Sequence, residues 1–119
     1  MKNFLKMLPV ILLMVMSQNV MGQLNGTYSI GAAGVVIGET GNYATFSEAI
    51  TALNNNGVTG PCTFYFTTNG TYTETNDVAL GCTGTSATNT ITFKPYTGIV
   101  CTLSLTLTTN IGGASIDGF

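Results

Sequence analysis

Hydrophobic and polar residues alternate one by one along the second half of the chain. In "CTLSLTLT", Cys101, Leu103, Leu105 and Leu107 fall on one side, while Thr102, Ser104, Thr106 and Thr108 fall on the other. A period of two marks a strand with one buried face and one wet, hydroxyl-lined face. Similar patterning predicts shorter strands at "CTFYF" (Cys62 to Phe66), "DVAL" (ending at Leu80), "TITFKP" (Thr90 to Pro95) and "ASID" (Ala114 to Asp117). The intervening "TTNGTYTETN", "GCTGTSATN", "YTGIV" and "TNIGG" are rich in Gly, Asn and Thr and predict turns. The β-branch of Thr suits a pleated surface that faces water.

The period changes once, at "YATFSEAITALNNNG". Phe46, Ala49, Ile50 and Leu53 follow the i, i+3, i+4, i+7 rule and form one apolar stripe. Thr45 is a good N-cap, and Glu48, three residues later, completes a capping box by reaching back to the cap's backbone N–H. Gly57 suits the left-handed position past the last turn. A helix from about Phe46 to Asn55 follows. Upstream, "QLNGTYSIGAAGVVIGETGN" predicts one or two short strands, broken at Gly31, Gly34, Gly38 and Gly41. The expected class is therefore all-β with a single amphipathic helix. Comparable strands recur at a loosely regular spacing, which suits a solenoid whose repeats bury their apolar faces by stacking. A small β-sandwich also has many short strands, and periodicity alone leaves both open.

The opening of the chain, up to Gly22, stands apart from this pattern. Lys2 and Lys6 precede an apolar run from Met7 to Met16, followed by small and polar residues with Val20 and Gly22 at the positions that favour cleavage. The run is shorter than the roughly 20 residues of a membrane span and has the length of a signal-peptide core. Residues 1–22 are therefore expected to be an export signal, leaving a secreted or cell-surface protein with no membrane span. Beyond them only Lys94 is basic, against Glu39, Glu48, Glu74, Asp77 and Asp117, for a net charge of −4. One cation provides no electrostatic footprint for nucleic acid. The chain has no His and no Trp, so imidazole chemistry is absent.

Candidate chemistry is sparse. Glu48 is accounted for by helix capping. Glu74 and Asp77 in "TETND" have the oxygen ligands of a hard-cation site but not the spacing of a known loop, and a solvated turn is the plainer reading. Asp117 precedes Gly118 in a turn dipeptide and lacks the second carboxylate that glycoside hydrolysis needs. Lys94, before Pro95, is expected to mark a strand end. Tyr65, Tyr72 and Tyr96 suit stacking on sugar rings, or boundary positions with a wet hydroxyl. "NGT" at Asn25 and Asn69 fits a glycosylation sequon and equally a tight turn. Cys62, Cys82 and Cys101 are almost evenly spaced and far apart, unlike the close pairs of zinc modules. No catalytic, metal or cofactor constellation is expected within these residues.

Over "YATFSEAITALNNNGVTGPCTFYFTTNGTYTE", "TNTITFKPYTG" and "SIDGF", the chain resembles the N-terminal part of secreted bacterial right-handed parallel β-helix proteins, the pectin-lyase-like superfamily. The anchors are the Thr-Phe-Ser-Glu-Ala-Ile helix start, "GPCTF" as a first coil strand, "GTYTE" as the turn after it, and "ITF" and "IDGF" as later strands. The resemblance implies that the helix caps the open end of the stack, with residues 23–60 forming this cap and the preceding strands. It implies that residues 61–119 are the first coils of a longer stack, with Ile116 facing inward and Asp117-Gly118 opening the next turn. Cys62 is then an inward core position, and Cys82 with Cys101 is the first choice for a disulfide. Two functions follow as expectations. One is a non-catalytic scaffold or adhesin that contacts extracellular polysaccharide or cell-surface glycan. The alternative is the cap of a polysaccharide lyase or glycoside hydrolase whose catalytic coils lie beyond residue 119.

Overall fold

The computed structural model describes residues 22–74, 79–105, 114–116 and 118. All but Gly22 of the segment expected to be an export signal, residues 1–22, lies outside the described residues, as do Asp77 and Asp117. The elements in order are β1 (Leu24–Ile30), β2 (Gly41–Tyr43), α1 (Phe46–Asn56), β3 (Val58–Phe66), β4 (Gly70–Thr73), β5 (Ile91–Pro95), β6 (Cys101–Ser104) and β7 (Ser115–Ile116). Strands dominate, as the alternating pattern predicts. Among the described residues, no helix is long and apolar enough to cross a membrane.

All the described strand pairings are parallel. A five-stranded sheet runs β2-β1-β3-β5-β7, and a two-stranded sheet pairs β4 with β6. The antiparallel pairing of a sandwich is not found among the described strands. From β3 onward the chain alternates between the two sheets, each time pairing with the strand it last formed there. Register partners such as Cys62 and Ile91, Gly70 and Cys101, and Phe93 and Ile116 are therefore separated along the chain by one full circuit through both sheets.

The register also aligns three copies of one short pattern. Thr27-Tyr28-Ser29-Ile30 lies beside Thr63-Phe64-Tyr65-Phe66, which lies beside Thr92-Phe93-Lys94-Pro95. The second residue of each copy points inward, and the rings form a column. Tyr28 stacks on Phe64 at 5.0 Å between centroids, and Phe64 on Phe93 at 5.1 Å. Phe46 of α1 meets the end of this column edge-on, 4.9 Å from Phe93. Each such contact contributes about 0.5–1.5 kcal/mol beyond the burial of its area. The helix thereby inserts its predicted stripe, Phe46, Ala49, Ile50 and Leu53, into the same core.

The start of α1 is built much as its sequence requires. Thr45 Oγ1 accepts from Glu48 N at 3.1 Å. The Glu48 carboxylate accepts from Ala44 N at 2.9 Å, one residue earlier than a standard capping box. At the other end, Gly57 takes a φ of +70° and donates to Leu53 O at 2.8 Å. The next residue, Val58, donates to Thr83 O at 2.9 Å, holding the loop before β5 flat against the start of β3. Gly84, at φ +87°, is required there because a Cβ would collide with the Val58 carbonyl.

One local expectation is corrected. "GTYTE", expected as a turn, begins with strand β4, because Tyr72 packs edge-on against Phe66 at 4.6 Å while Thr71 and Thr73 face water. The stretch expected to hold one or two short strands forms β1 and β2, and the glycine-broken residues 31–40 between them make bends and turns in which Val36 is buried and Val35 and Ile37 are exposed. Asp77 and Val78 of "DVAL" lie outside the described residues, and Ala79 makes a single bridge. In β6 the predicted alternation holds over the described part: Cys101 is buried and Leu103 half-buried, while Thr102 and Ser104 are exposed.

Candidate functional site

Side chains one position off the aromatic column point out of the five-stranded sheet. The first and third residues of the aligned pattern therefore form two outward rows. One row is Thr27, Thr63, Thr92 and Ser115 in register; the other is Asn42, Ser29, Tyr65 and Lys94. The second row carries the chemistry. The Lys94 ammonium lies 5.3 Å from the centre of the Tyr65 ring, within reach of its negative face. Tyr96, just past the end of β5, packs against Tyr65 edge to face at 5.2 Å and 80°.

Residues 31–40 border this face. Gly31 N donates to Tyr43 O at 2.8 Å and Thr40 N to Thr27 O at 2.6 Å, so both ends of the loop are fastened to the sheet. Its tip reaches the aromatic pair through Ile37 N, which donates to the Tyr96 hydroxyl at 3.4 Å, while the Ile37 side chain is 90% exposed. The loop covers Ser29, whose exposure is 0% although it belongs to the outward row. Asn42 Nδ2 donates to Ser29 Oγ at 2.8 Å and to Gly31 O at 3.2 Å, fixing its amide.

Glu39 tightens the loop from within. Its Oε1 accepts from Gly34 N at 2.7 Å, while Oε2 is buried and makes no direct hydrogen bond. The nearby Ser29 hydroxyl and then the Gly34 N–H hold its carboxyl below the usual value of 4.5. The other described acids are also held by backbone. Glu48 is bound to Ala44 N, and Glu74 Oε1 accepts from Ser47 N at 3.0 Å, where the first turn of α1 leaves its N–H unpaired. Glu74, a candidate cation ligand in the sequence, thus docks the end of β4 onto the helix. Its own N–H donates to Ser104 O at 2.9 Å. Among the described residues, no group of three or more His, Cys, Asp and Glu gathers to hold a metal.

The remaining candidates are scattered. Tyr72 belongs to the core edge, its hydroxyl bonded to Ile30 O, Thr68 N and Thr68 Oγ1. Asn69 sits in a turn, where its Oδ1 accepts from Val100 N at 2.8 Å. Asn25 precedes Gly26 at a shift in strand register, so its Asn-Gly pair makes an irregularity in a strand and no hairpin. All three cysteines are thiols: Cys62 and Cys101 buried, Cys82 half-buried. A separate open hollow of about 390 Å³ lies at the beginning of β5, lined by Cys82, Ser86, Asn89, Ile91 and Ala114 among others. Among the described residues, no charged side chain lines it.

The gathered surface therefore offers two aromatic rings at right angles, one ammonium, an exposed aliphatic side chain and an adjoining row of hydroxyls. Rings take the apolar faces of sugars, and hydroxyls with an ammonium take their polar edges. The sequence held a signal for it that motif reading misses. Tyr65 and Lys94 occupy the same place in the aligned pattern, so parallel register makes them neighbours. The chain matches no family model, and neither a curated protein nor a solved structure is similar to it at a significant level.

Proposed function

We propose that this is an exported, non-catalytic scaffold whose outward face makes low-affinity contact with extracellular or cell-surface glycan. Its fold on this reading is the beginning of a right-handed parallel β-helix, similar to pectin-lyase-like proteins, with α1 covering the first coil. Support for the fold comes from the alternation of β3 to β7 between two parallel sheets in steady register. Right-handedness is the general rule for parallel crossovers. Support for export comes from the basic and apolar opening of residues 1–22.

The observation that carries the function is the cluster of Tyr65, Tyr96 and Lys94 on the face opposite the core. A structural role alone leaves unexplained why a chain with one cation after its leader sets that cation over a partly exposed ring. The non-catalytic reading is supported by the backbone partners of Glu39, Glu48 and Glu74, since hydrolysis of a glycoside requires a pair of carboxylates flanking the bond.

The test is affinity electrophoresis of the full chain through gels cast with neutral and uronic-acid polysaccharides. At least one polymer should retard the wild type. Tyr65→Ala and Tyr96→Ala should each weaken retardation about tenfold, the equivalent of about 1.4 kcal/mol. Retardation by no glycan, or equal retardation of the variants, overturns the binding reading. Release of shorter or unsaturated sugars by the full chain overturns the non-catalytic one.

A further inference from the structure

Cys82 lies on the segment that the structure fastens to the start of β3. Thr83 O accepts from Val58 N at 2.9 Å, and Gly57 approaches Thr83 so closely that a Cβ on it would collide there. The chain then loops out through residues 84–89 and returns beneath Cys62, whose N–H donates to Thr90 O at 2.8 Å. Residues 83 and 90 thus bracket the stretch of β3 from Val58 to Cys62. The register of that stretch shifts against β1, where Leu24 pairs with Val58 but Gly26 pairs with Cys62. Cys82 also shares the lining of the hollow with Ile91, the register partner of Cys62, and packs against the core to which both Cys62 and Cys101 belong. The other register partner of Cys62 is Gly26, which adds no side chain to that level.

Cys101 has different surroundings. It begins β6 in the smaller sheet, paired with Gly70. No hydrogen bond or strand pairing among the described residues joins residues 80–84 to β6.

We propose that Cys62 and Cys82 are the pair that forms a disulfide on oxidation, with Cys101 remaining a thiol. The oxidant is a disulfide of the glutathione class. The Cys82 thiolate, the more exposed of the two, attacks one sulfur of that disulfide, breaking its S–S bond and releasing one thiolate. The Cys62 thiolate then attacks Cys82 Sγ, forming the internal S–S bond and displacing the second oxidant thiolate. Two electrons pass to the oxidant, and the protons lost by Cys62 and Cys82 end on its two thiols. Burial, with a further contribution from Cys82, pushes the Cys62 thiol up to about 11, so the closing step quickens with rising pH.

The full chain is incubated with oxidised glutathione, alkylated with N-ethylmaleimide, cleaved with chymotrypsin without reduction, and read by mass spectrometry. Tyr65, Tyr72, Phe93 and Tyr96 provide cleavage points that separate the three cysteines. The expected result is a linked pair of peptides carrying Cys62 and Cys82, with maleimide labels falling from three to one and the remaining label on Cys101. Cys101→Ser should retain the linked pair in full, and Cys82→Ser should abolish it. A link from Cys101 to either other cysteine, three labels after oxidation, or loss of the linked pair in Cys101→Ser overturns the pairing.

Discussion

Phe64 and Tyr65 are chain neighbours with opposite roles. Phe64 is fully buried, stacked between Tyr28 and Phe93 in the column that joins three strands. Tyr65 stands on the other side of the same backbone, half-exposed, with Tyr96 at its edge and Lys94 over its face. Inside, each ring is constrained on all sides, and close packing makes any lost volume costly. Outside, rings touch few neighbours, so their arrangement is available for a ligand. In this sheet the stability and the chemistry are separated by a single residue step.

Truncation of the two neighbours tests that separation most sharply. Phe64→Ala should destabilise the fold by about 3–5 kcal/mol, through lost burial and the cavity left between Tyr28 and Phe93. Tyr65→Ala should cost less than about 1 kcal/mol, in the range of exposed substitutions, while weakening glycan retardation. Chemical denaturation of both variants measures the difference. Equal losses would mean that the outward rings help hold the sheet together.

A smaller effect is expected at the helix start, which ties the inner column to the region around β4. Thr45→Ala removes the acceptor for Glu48 N and should cost about 1 kcal/mol. It should leave glycan retardation unchanged, because α1 packs on the core and takes no part in the outward rows. A change in retardation would show that the two faces are coupled through the helix.

The smallest expected effect is pH-dependent and belongs to the loop at the border of the outward face. Hydrogen bonding holds the Glu39 carboxyl below 4.5 in the folded protein, so its contribution is present above that value and is lost as pH falls through the lower folded one. Thermal melts of wild type and Glu39→Gln should converge as the pH falls below 4.5 and through the lower folded value. The same acidification should weaken retardation, as Gly34 loses its charged acceptor and the loop that reaches Tyr96 loosens. Melting curves that keep a constant gap at every pH would remove Glu39 from this role.

Local patterns accounted for much of the fold. The capping residues and apolar stripe of α1 identified the helix to within one residue, because helix signals lie within a few positions of each other. Strands β3, β5 and β6 were legible wherever apolar and polar residues alternate. β4 was not, because "NGTYT" carries turn residues at its start and its single half-buried ring, Tyr72, finds its partner Phe66 only in the folded chain. Gly31, Gly34, Gly38 and Gly41 marked the gap between β1 and β2, but not how residues 31–40 fold. Val35, Val36 and Ile37 are good strand formers, yet Glu39 gathers the segment into turns through Gly34 N.

The candidate surface divides in the same way. Alternation alone puts Tyr65 and Lys94 on polar faces of their strands, and the repeated Thr-aromatic pattern sets which positions correspond. That Lys94 stands over Tyr65, that Tyr96 closes the edge, and that Glu74 serves the helix in place of a cation were decided by parallel register and by the meeting of distant segments. Sequence by itself determined which way the side chains of β3, β5 and β6 face, since that follows from a two-residue period. Only the tertiary structure decided which side chains stand side by side, because neighbours across a parallel sheet come from successive circuits of the chain, far apart in sequence.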